Sequence, residues 1–318
     1  MRHLLSIEDL DREAIERILD LAANFGAVAD RPIKKLPSLR GRLVINLFYE
    51  ASTRTRSSFE LAAKRLSADV LNLVSSGSSV EKGESLRDTV ATLSAYGPDA
   101  IVIRSPYAGA PGLLAGWTQA AVVNAGDGKH QHPTQALLDC YTLKSRLGSL
   151  DGANIWIVGD LLHSRVARSC IQAFTRLGAN VTVAGPPTLV PDAFAALGAT
   201  VRHSLADLRE ADVIYALRMQ LERMEQDSQV PSLREYTAHF QVNSRRLGPR
   251  QLLMHPGPVN RGIELSGDVI DSPQSLITGQ VAAGVVVRMA VLYEVLAGAA
   301  TPADVPDAQS RALEPQTA

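Results

Sequence analysis

Cysteine, aromatic residues and excess charge are all scarce in this 318-residue chain. Its two cysteines, Cys140 and Cys170, have no CxxC pairing and sit in apolar, helix-like settings. That use of cysteine suits neither a disulfide scaffold nor a zinc knuckle, and it leads us to expect reduced core thiols in a cytoplasmic protein. Lys plus Arg number 32 and Asp plus Glu 33, for a formal net charge of −1. Such a balance gives no electrostatic reason to expect nucleic acid or an anionic membrane as a partner. Uninterrupted hydrophobic runs are missing as well. The most membrane-like stretch, VAAGVVVRMAVLYEVLAGAA at 281–300, is broken by Arg288 and Glu294, whereas a spanning helix needs about twenty mostly apolar residues. A buried or interdomain helix in a soluble protein is the better reading. The opening MRHLLSIEDLDREAIERIL has acids by its ninth residue and no long apolar block, unlike a secretory signal.

Several chemical signatures are absent too. GxxxxGK[ST] does not occur, and the strand-turn-helix pattern IWIVGDLLHSRVARS keeps only Gly159 of a GxGxxG loop. His130 and His132 form an HQH pair without a spaced third ligand, so no metal is expected. No nucleophile–base pair stands out, and no cofactor is expected.

What is present is alternation. LVINLFY (43–49), DVLNLV (69–74), DAIVIRS (99–105) and AAVVNAG (120–126) are short apolar runs separated by helix-like segments. The pattern restarts with NIWIVGD, NVTVAG, TVRH and DVIYAL. This implies an α/β chain of two domains, each a mostly parallel sheet flanked by helices. The segment PTQALLDCYTLKSRLG opens with proline in its first turn and closes with glycine, as a connecting helix would. The expected division is 1–132, a connecting helix at 133–150, a second domain at 151–277, a helix at 278–300 packing back on the first, and a frayed tail at 301–318.

Between strand and helix lies the densest polar cluster, FYEASTRTRSSFE at 48–60. In open α/β sheets ligands collect at the carboxyl ends of strands, and a helix N-terminus there is an anion site. Capping needs one hydroxyl, yet Ser52, Thr53 and Thr55 crowd that turn beside Arg54. An anion site is the stronger reading. Arg104, His132, Gln135, Arg165, Arg218, Gln220 and the loop HPGPVNRG (255–262) fall at equivalent strand-to-helix positions. Together they describe a site for a small pair of anionic substrates.

FYEASTRT resembles the phosphate-binding signature of the carbamoyltransferases. With HPTQ, HSRVARS, LRMQ and HPGPVNRG in order along the chain, the sequence is similar to the aspartate branch of the aspartate/ornithine carbamoyltransferase family. The resemblance implies transfer of a carbamoyl group from carbamoyl phosphate to L-aspartate, a step of pyrimidine biosynthesis, in a homotrimer with shared active sites. It implies phosphate contacts from Ser52, Thr53, Arg54, Thr55 and Arg104. Thr55, Arg104 and His132 would meet the carbonyl oxygen, and Gln135 with the Gly257-Pro258 backbone the carbamoyl amide, the latter through a cis proline. Arg165 would take one aspartate carboxylate and Arg218 with Gln220 the other. Ser78 and Lys82 would reach into the neighbouring subunit's site, in a loop where Glu81 replaces a frequently basic residue. Ornithine as acceptor, or a silent homologue acting as a scaffold, are the alternatives; the HPGP loop and the Arg218 position favour aspartate. Regulatory chains or a dihydroorotase are further partners that relatives bring to mind.

Overall fold

Apolar side chains on both faces of the central strands require helices above and below, and the chain supplies them. The computed structural model describes residues 1–29, 31–74, 84–220 and 232–297. In the first half, β1 (Leu43–Phe48), β2 (Asp69–Val74), β3 (Ala100–Ser105) and β4 (Ala121–Asp127) form a parallel sheet in the order β2-β1-β3-β4. Along β1, Val44 and Phe48 enter one apolar cluster while Ile45 and Leu47 enter another. That is the two-residue period of a strand covered on both sides.

The second half repeats the plan. β5 (Asn154–Val158), β6 (Asn180–Ala184), β7 (Thr200–Arg202), β8 (Val213–Ala216) and β9 (Leu252–Met254) pair in parallel in the order β7-β6-β5-β8-β9. The helices are α1 (Arg12–Ala29), α2 (Thr53–Arg65), α3 (Leu86–Ser94), α4 (Ala110–Ala115), α5 (Pro133–Leu147), α6 (Arg165–Arg176), α7 (Leu233–Phe240), α8 (Gly267–Ile270) and α9 (Ile277–Ala297). The parallel, two-sheet architecture expected from the sequence is what forms.

Two helices join the halves. α5 lies between the sheets and packs on both α1 and α6, and α9 packs on α1, α2 and α5. α9 is long and apolar enough to cross a membrane by length and composition; here Val286, Val287, Met289, Ala290, Val291 and Leu292 are buried against the protein instead. Both cysteines are free and fully buried, and burial pushes both thiols well above their usual range.

Strand order fixes where ligands can go. In the first sheet the chain leaves β1 toward β2 on one side and returns as β3 on the other. In the second, β5 leads to β6 on one side and β8 takes the other. Each sheet therefore has a switch point, β1/β3 and β5/β8, where the loops part and leave a crevice.

Candidate active site

The two crevices open into one cavity of about 740 Å³. The turn after β1 brings Glu50, Ser52, Thr53, Arg54 and Thr55, and the end of β3 brings Arg104. The turn after β5 supplies Arg165, and the segment after β8 supplies Arg218 and Gln220. His132 and Gln135 come from the start of α5, and the loop after β9 adds Gly257 and Pro258. Twelve of the residues expected from the sequence thus line a single cavity. Ser78 and Lys82 lie outside the described residues.

Local structure explains the first turn. Ser52 is the N-cap of α2 in extended conformation, yet its side chain makes no capping bond. Thr53, Arg54 and Thr55 are the first helical residues, and no acid stands in that turn. The hydroxyls, the unpaired N–H groups of the first turn and the positive end of the helix therefore all address the cavity. Gly257, with φ +66° and a cis bond to Pro258, lies against Arg54: a β-carbon there would sit 3.0 Å from the guanidinium carbon.

Five arginines, Arg54, Arg104, Arg165, Arg218 and Arg288, stand among the described lining residues against one carboxylate, Glu50. Glu50 is shared: Arg165 Nη2 donates to its Oε2 at 2.5 Å, and Arg104 Nε lies 3.2 Å from the same oxygen. This carboxylate ties the end of β3 to the start of α6 across the halves. Arg165 Nη1 also donates to Gly128 O at 3.2 Å. Gln220 is held through its backbone N–H, which donates to the buried Asp160 at 3.1 Å.

Burial and the crowded positive charge act together on Arg54, His132 and His255. Desolvation against the cavity wall and the charge of Arg218 lower the pKa of Arg54. Burial, then Arg104, Arg165 and Arg288, hold His132 well below the ordinary histidine value, so it is neutral. His132 is anchored by its backbone N–H to Ser169 Oγ at 2.9 Å, while its Nδ1 is buried without a hydrogen-bond partner among the described residues. His255 is also lowered, chiefly by burial, against the opposing pull of Glu264. Its Nδ1 accepts from Gly257 N–H at 2.8 Å, so Nε2 carries the proton and donates to Glu264 Oε1 at 3.2 Å. The same Glu264 oxygen accepts from Asn260 N–H at 2.6 Å, stitching the loop into one shape.

The sequence reading gave no role to Glu50, His255, Gln280 or Arg288, all of which line the cavity. Arg288 carried a signal. A lone arginine in an apolar helix must face something that justifies its charge. It is buried, packed over the Phe59 ring at 5.1 Å, with its pKa lowered to about 10 by burial. His130, the other half of the HQH pair, lies instead on Asp127 at 3.0 Å.

Two parallel-sheet halves facing each other across an arginine-rich cleft define an enzyme that brings two small anions together. The chain belongs to the aspartate/ornithine carbamoyltransferase family: the carbamoyl-P binding domain of that family matches residues 2–145, and its Asp/Orn binding domain matches 151–295. The aspartate carbamoyltransferase catalytic subunit of Salinispora arenicola is 57% identical over 305 residues, covering 94% of this chain and 99% of the relative. Aspartate transcarbamoylase from Trypanosoma cruzi, solved in complex with carbamoyl phosphate and aspartate, is 34% identical with a TM-score of 0.83 over 93% of this chain and 97% of the other. Ornithine carbamoyltransferase from Pyrococcus furiosus reaches the same TM-score, 0.83, at 32% identity, covering 93% of this chain and 97% of the other. The fold alone thus leaves the acceptor to be decided by the site.

Proposed function

We propose that this chain transfers the carbamoyl group of carbamoyl phosphate to the amine of L-aspartate, giving N-carbamoyl-L-aspartate and phosphate, as a step of pyrimidine biosynthesis. The observation that carries the acceptor is the charge of the cleft: five arginines against one carboxylate that two of them already share. Ornithine would bring an ammonium into that field. Aspartate brings a second carboxylate.

The first half, 1–132, holds the donor's phosphate. Ser52, Thr53, Arg54, Thr55 and Arg104 take the phosphate, with each charge-assisted hydrogen bond contributing on the order of 1.5–3 kcal/mol. Arg165 and the pair Arg218 and Gln220, from the 151–277 half, take the two carboxylates of aspartate. The amine lone pair attacks the carbonyl carbon and negative charge gathers on the carbonyl oxygen. Thr55, Arg104 and neutral His132 donate to that oxygen, and fixed donors aimed at developing charge are usually the largest catalytic contribution. Gln135 and the loop at Gly257-Pro258 accept from the carbamoyl NH2. The tetrahedral intermediate collapses as the carbon–oxygen bond to phosphate breaks. Phosphate leaves with the bonding electrons and accepts the proton released by the amine. Phosphate is already a competent leaving group, so no step calls for a covalent enzyme intermediate.

The test is a pair of reactions on purified protein with carbamoyl phosphate, one with L-aspartate and one with L-ornithine. Carbamoylated product from aspartate alone supports the reading. Turnover with ornithine refutes the acceptor, and binding of carbamoyl phosphate without turnover of either means a silent homologue. The shared-site trimer rests on the family resemblance of the loop carrying Ser78 and Lys82. It predicts that mixing inactive Lys82→Ala and Arg54→Ala subunits restores some activity, and hybrids that form without recovery would sink it. A cytoplasmic setting fits two free, buried thiols.

A further inference from the structure

One buried acid at the junction of the halves is used by nothing in this mechanism. Asp139 lies on α5, one turn beyond Gln135, with no exposed surface. Four groups from four elements converge on its carboxylate. Gln135 Nε2, on the same helix, lies 3.1 Å from Oδ1 and 3.2 Å from Oδ2. Gln280 Nε2 of α9 donates to Oδ1 at 2.7 Å, and the Tyr215 hydroxyl of β8 donates to Oδ2 at 2.7 Å. The Cys170 thiol of α6 approaches Oδ2 at 3.5 Å.

A carboxylate only accepts, so any amide turned toward it presents its NH2. Both glutamines are thereby oriented. Gln280 keeps its Oε1 for the backbone N–H of His255, at 3.0 Å, and so anchors the loop that leads to Gly257 and Pro258. Gln135 is left with Oε1, which makes no hydrogen bond within the described residues, as its contribution to the cavity it lines. One carboxylate thus sets the orientation of one carbamoyl-amide acceptor and the anchorage of the other.

We propose that Asp139 is the positioning residue for donor selectivity: by holding the Gln135 amide with its oxygen toward the cleft, it makes the site accept a carbamoyl NH2 and reject an acyl phosphate with a methyl in its place. This rests on reading Gln135 as the contact of the carbamoyl amide. A methyl group would leave a nearly buried carbonyl oxygen unpaired, which is how a hydrogen-bonding site rejects an analogue lacking the donor. Asp139 also brings a handle. Burial raises its pKa to about 6, against the opposing pull of its hydrogen-bond donors. The titratable and charged groups facing it are Cys140 on its own helix, Cys170 on α6, Tyr215 on β8 and Arg288 on α9. The thiols and the phenol are all pushed above their usual values and stay neutral, and Arg288 stays charged, so Asp139 is the member of the group that changes state near pH 6.

The experiment measures the affinities of carbamoyl phosphate and acetyl phosphate for the wild-type protein and for Asp139→Asn. Gln135 Nε2 spans both carboxylate oxygens, so either orientation of the asparagine replaces one of its two acceptors with an NH2 and loosens the hold on the Gln135 amide. The preference for carbamoyl phosphate should then fall about ten-fold, the worth of roughly one hydrogen bond, while the KM for aspartate stays put. In the wild type the same preference should decline as pH drops from 7.5 to 5.5 and Asp139 gains a proton; the two phosphates titrate alike, so their ratio isolates the enzyme. If Asp139→Asn does not fold, the pH series decides alone. A preference that survives both the substitution and the acid series overturns the role of Asp139 and leaves the carbamoyl site standing. Wild-type protein that fails to bind carbamoyl phosphate overturns the underlying functional reading instead.

Discussion

Adding a single methyl group at either of two glycines should separate the two substrates. Gly257 has φ +66°, and a β-carbon there would lie 3.0 Å from Cζ and 3.1 Å from Nη2 of Arg54. Gly126 has φ +116°, and its β-carbon would lie 3.0 Å from both Cζ and Nε of Arg165. In each case a non-glycine residue at positive φ costs about 1–2 kcal/mol. That lowers the melting temperature by about 2–4 °C per kcal/mol for a chain approaching this size. The guanidinium must also retreat by a few tenths of an ångström. If that forfeits one charge-assisted hydrogen bond, the loss is about 1.5–3 kcal/mol, or about ten- to a hundred-fold in apparent affinity. Arg54 has room to yield, whereas Arg165 is buried and tied to Glu50 and Gly128. Gly126→Ala should therefore do the greater damage. Steady-state kinetics with each substrate varied at saturation of the other reads the outcome: Gly257→Ala should raise the KM for carbamoyl phosphate, and Gly126→Ala that for aspartate. Equal rises for both substrates in both folded variants would refute the assignment of Arg54 to phosphate and Arg165 to aspartate.

His132→Ala should lower kcat about 10²–10³-fold, as expected for one donor to a developing oxyanion; an unchanged kcat would remove His132 from the carbonyl site. Stability should fall as pH drops below about 6.5, because the unfolded chain binds protons at His132 and His255 that the folded chain, with both pKa values depressed, refuses. Below about 6, Asp139 works the other way, since its raised folded pKa lets the native state take up a proton first. Denaturant midpoints across pH 7.5 to 5.5 check this, and His255→Gln should flatten the decline. Arg288→Met should lower stability, because it removes the positive charge facing the buried Asp139 and the hydrogen bond to Gly284 O. The same variant should weaken phosphate-analogue binding, and undiminished binding by calorimetry would count against Arg288 as part of the cleft's field.

Regular structure was legible where pattern and punctuation agree. DVLNLV is β2 with the bounds expected, and the connecting helix expected at 133–150 runs Pro133–Leu147, stopping just before Gly148. The turn at 52–55, proposed to hold phosphate, was visible because three hydroxyls exceed what a cap requires. Short helices such as α4 and α8 span too few residues to show a period. What stayed hidden was pairing at a distance. Glu50 and Arg165 are 115 residues apart, and nothing in either segment announces the other. Asp139 stands in the quoted PTQALLD, yet only the fold shows Gln280 and Tyr215 arriving from 141 and 76 residues away. Arg288 reads in the sequence as an interruption of an apolar run, since sequence does not say which face of α9 meets the cleft.

The two switch points give the enzyme a division of labour that an engineer can exploit. The turns proposed to hold the donor's phosphate hang from one sheet and those proposed to read the acceptor's carboxylates from the other, with no strand in common; the loop after β9 adds its donor contact from the second sheet. The donor half is in effect a loaded cartridge, and the acceptor half an exchangeable socket. A library seeking new amines to carbamoylate can leave 52–55 and Arg104 untouched and vary only 162–166 and 217–220. Variants that lose aspartate should still fill with carbamoyl phosphate, so the collection can be sorted by donor binding before any product is sought.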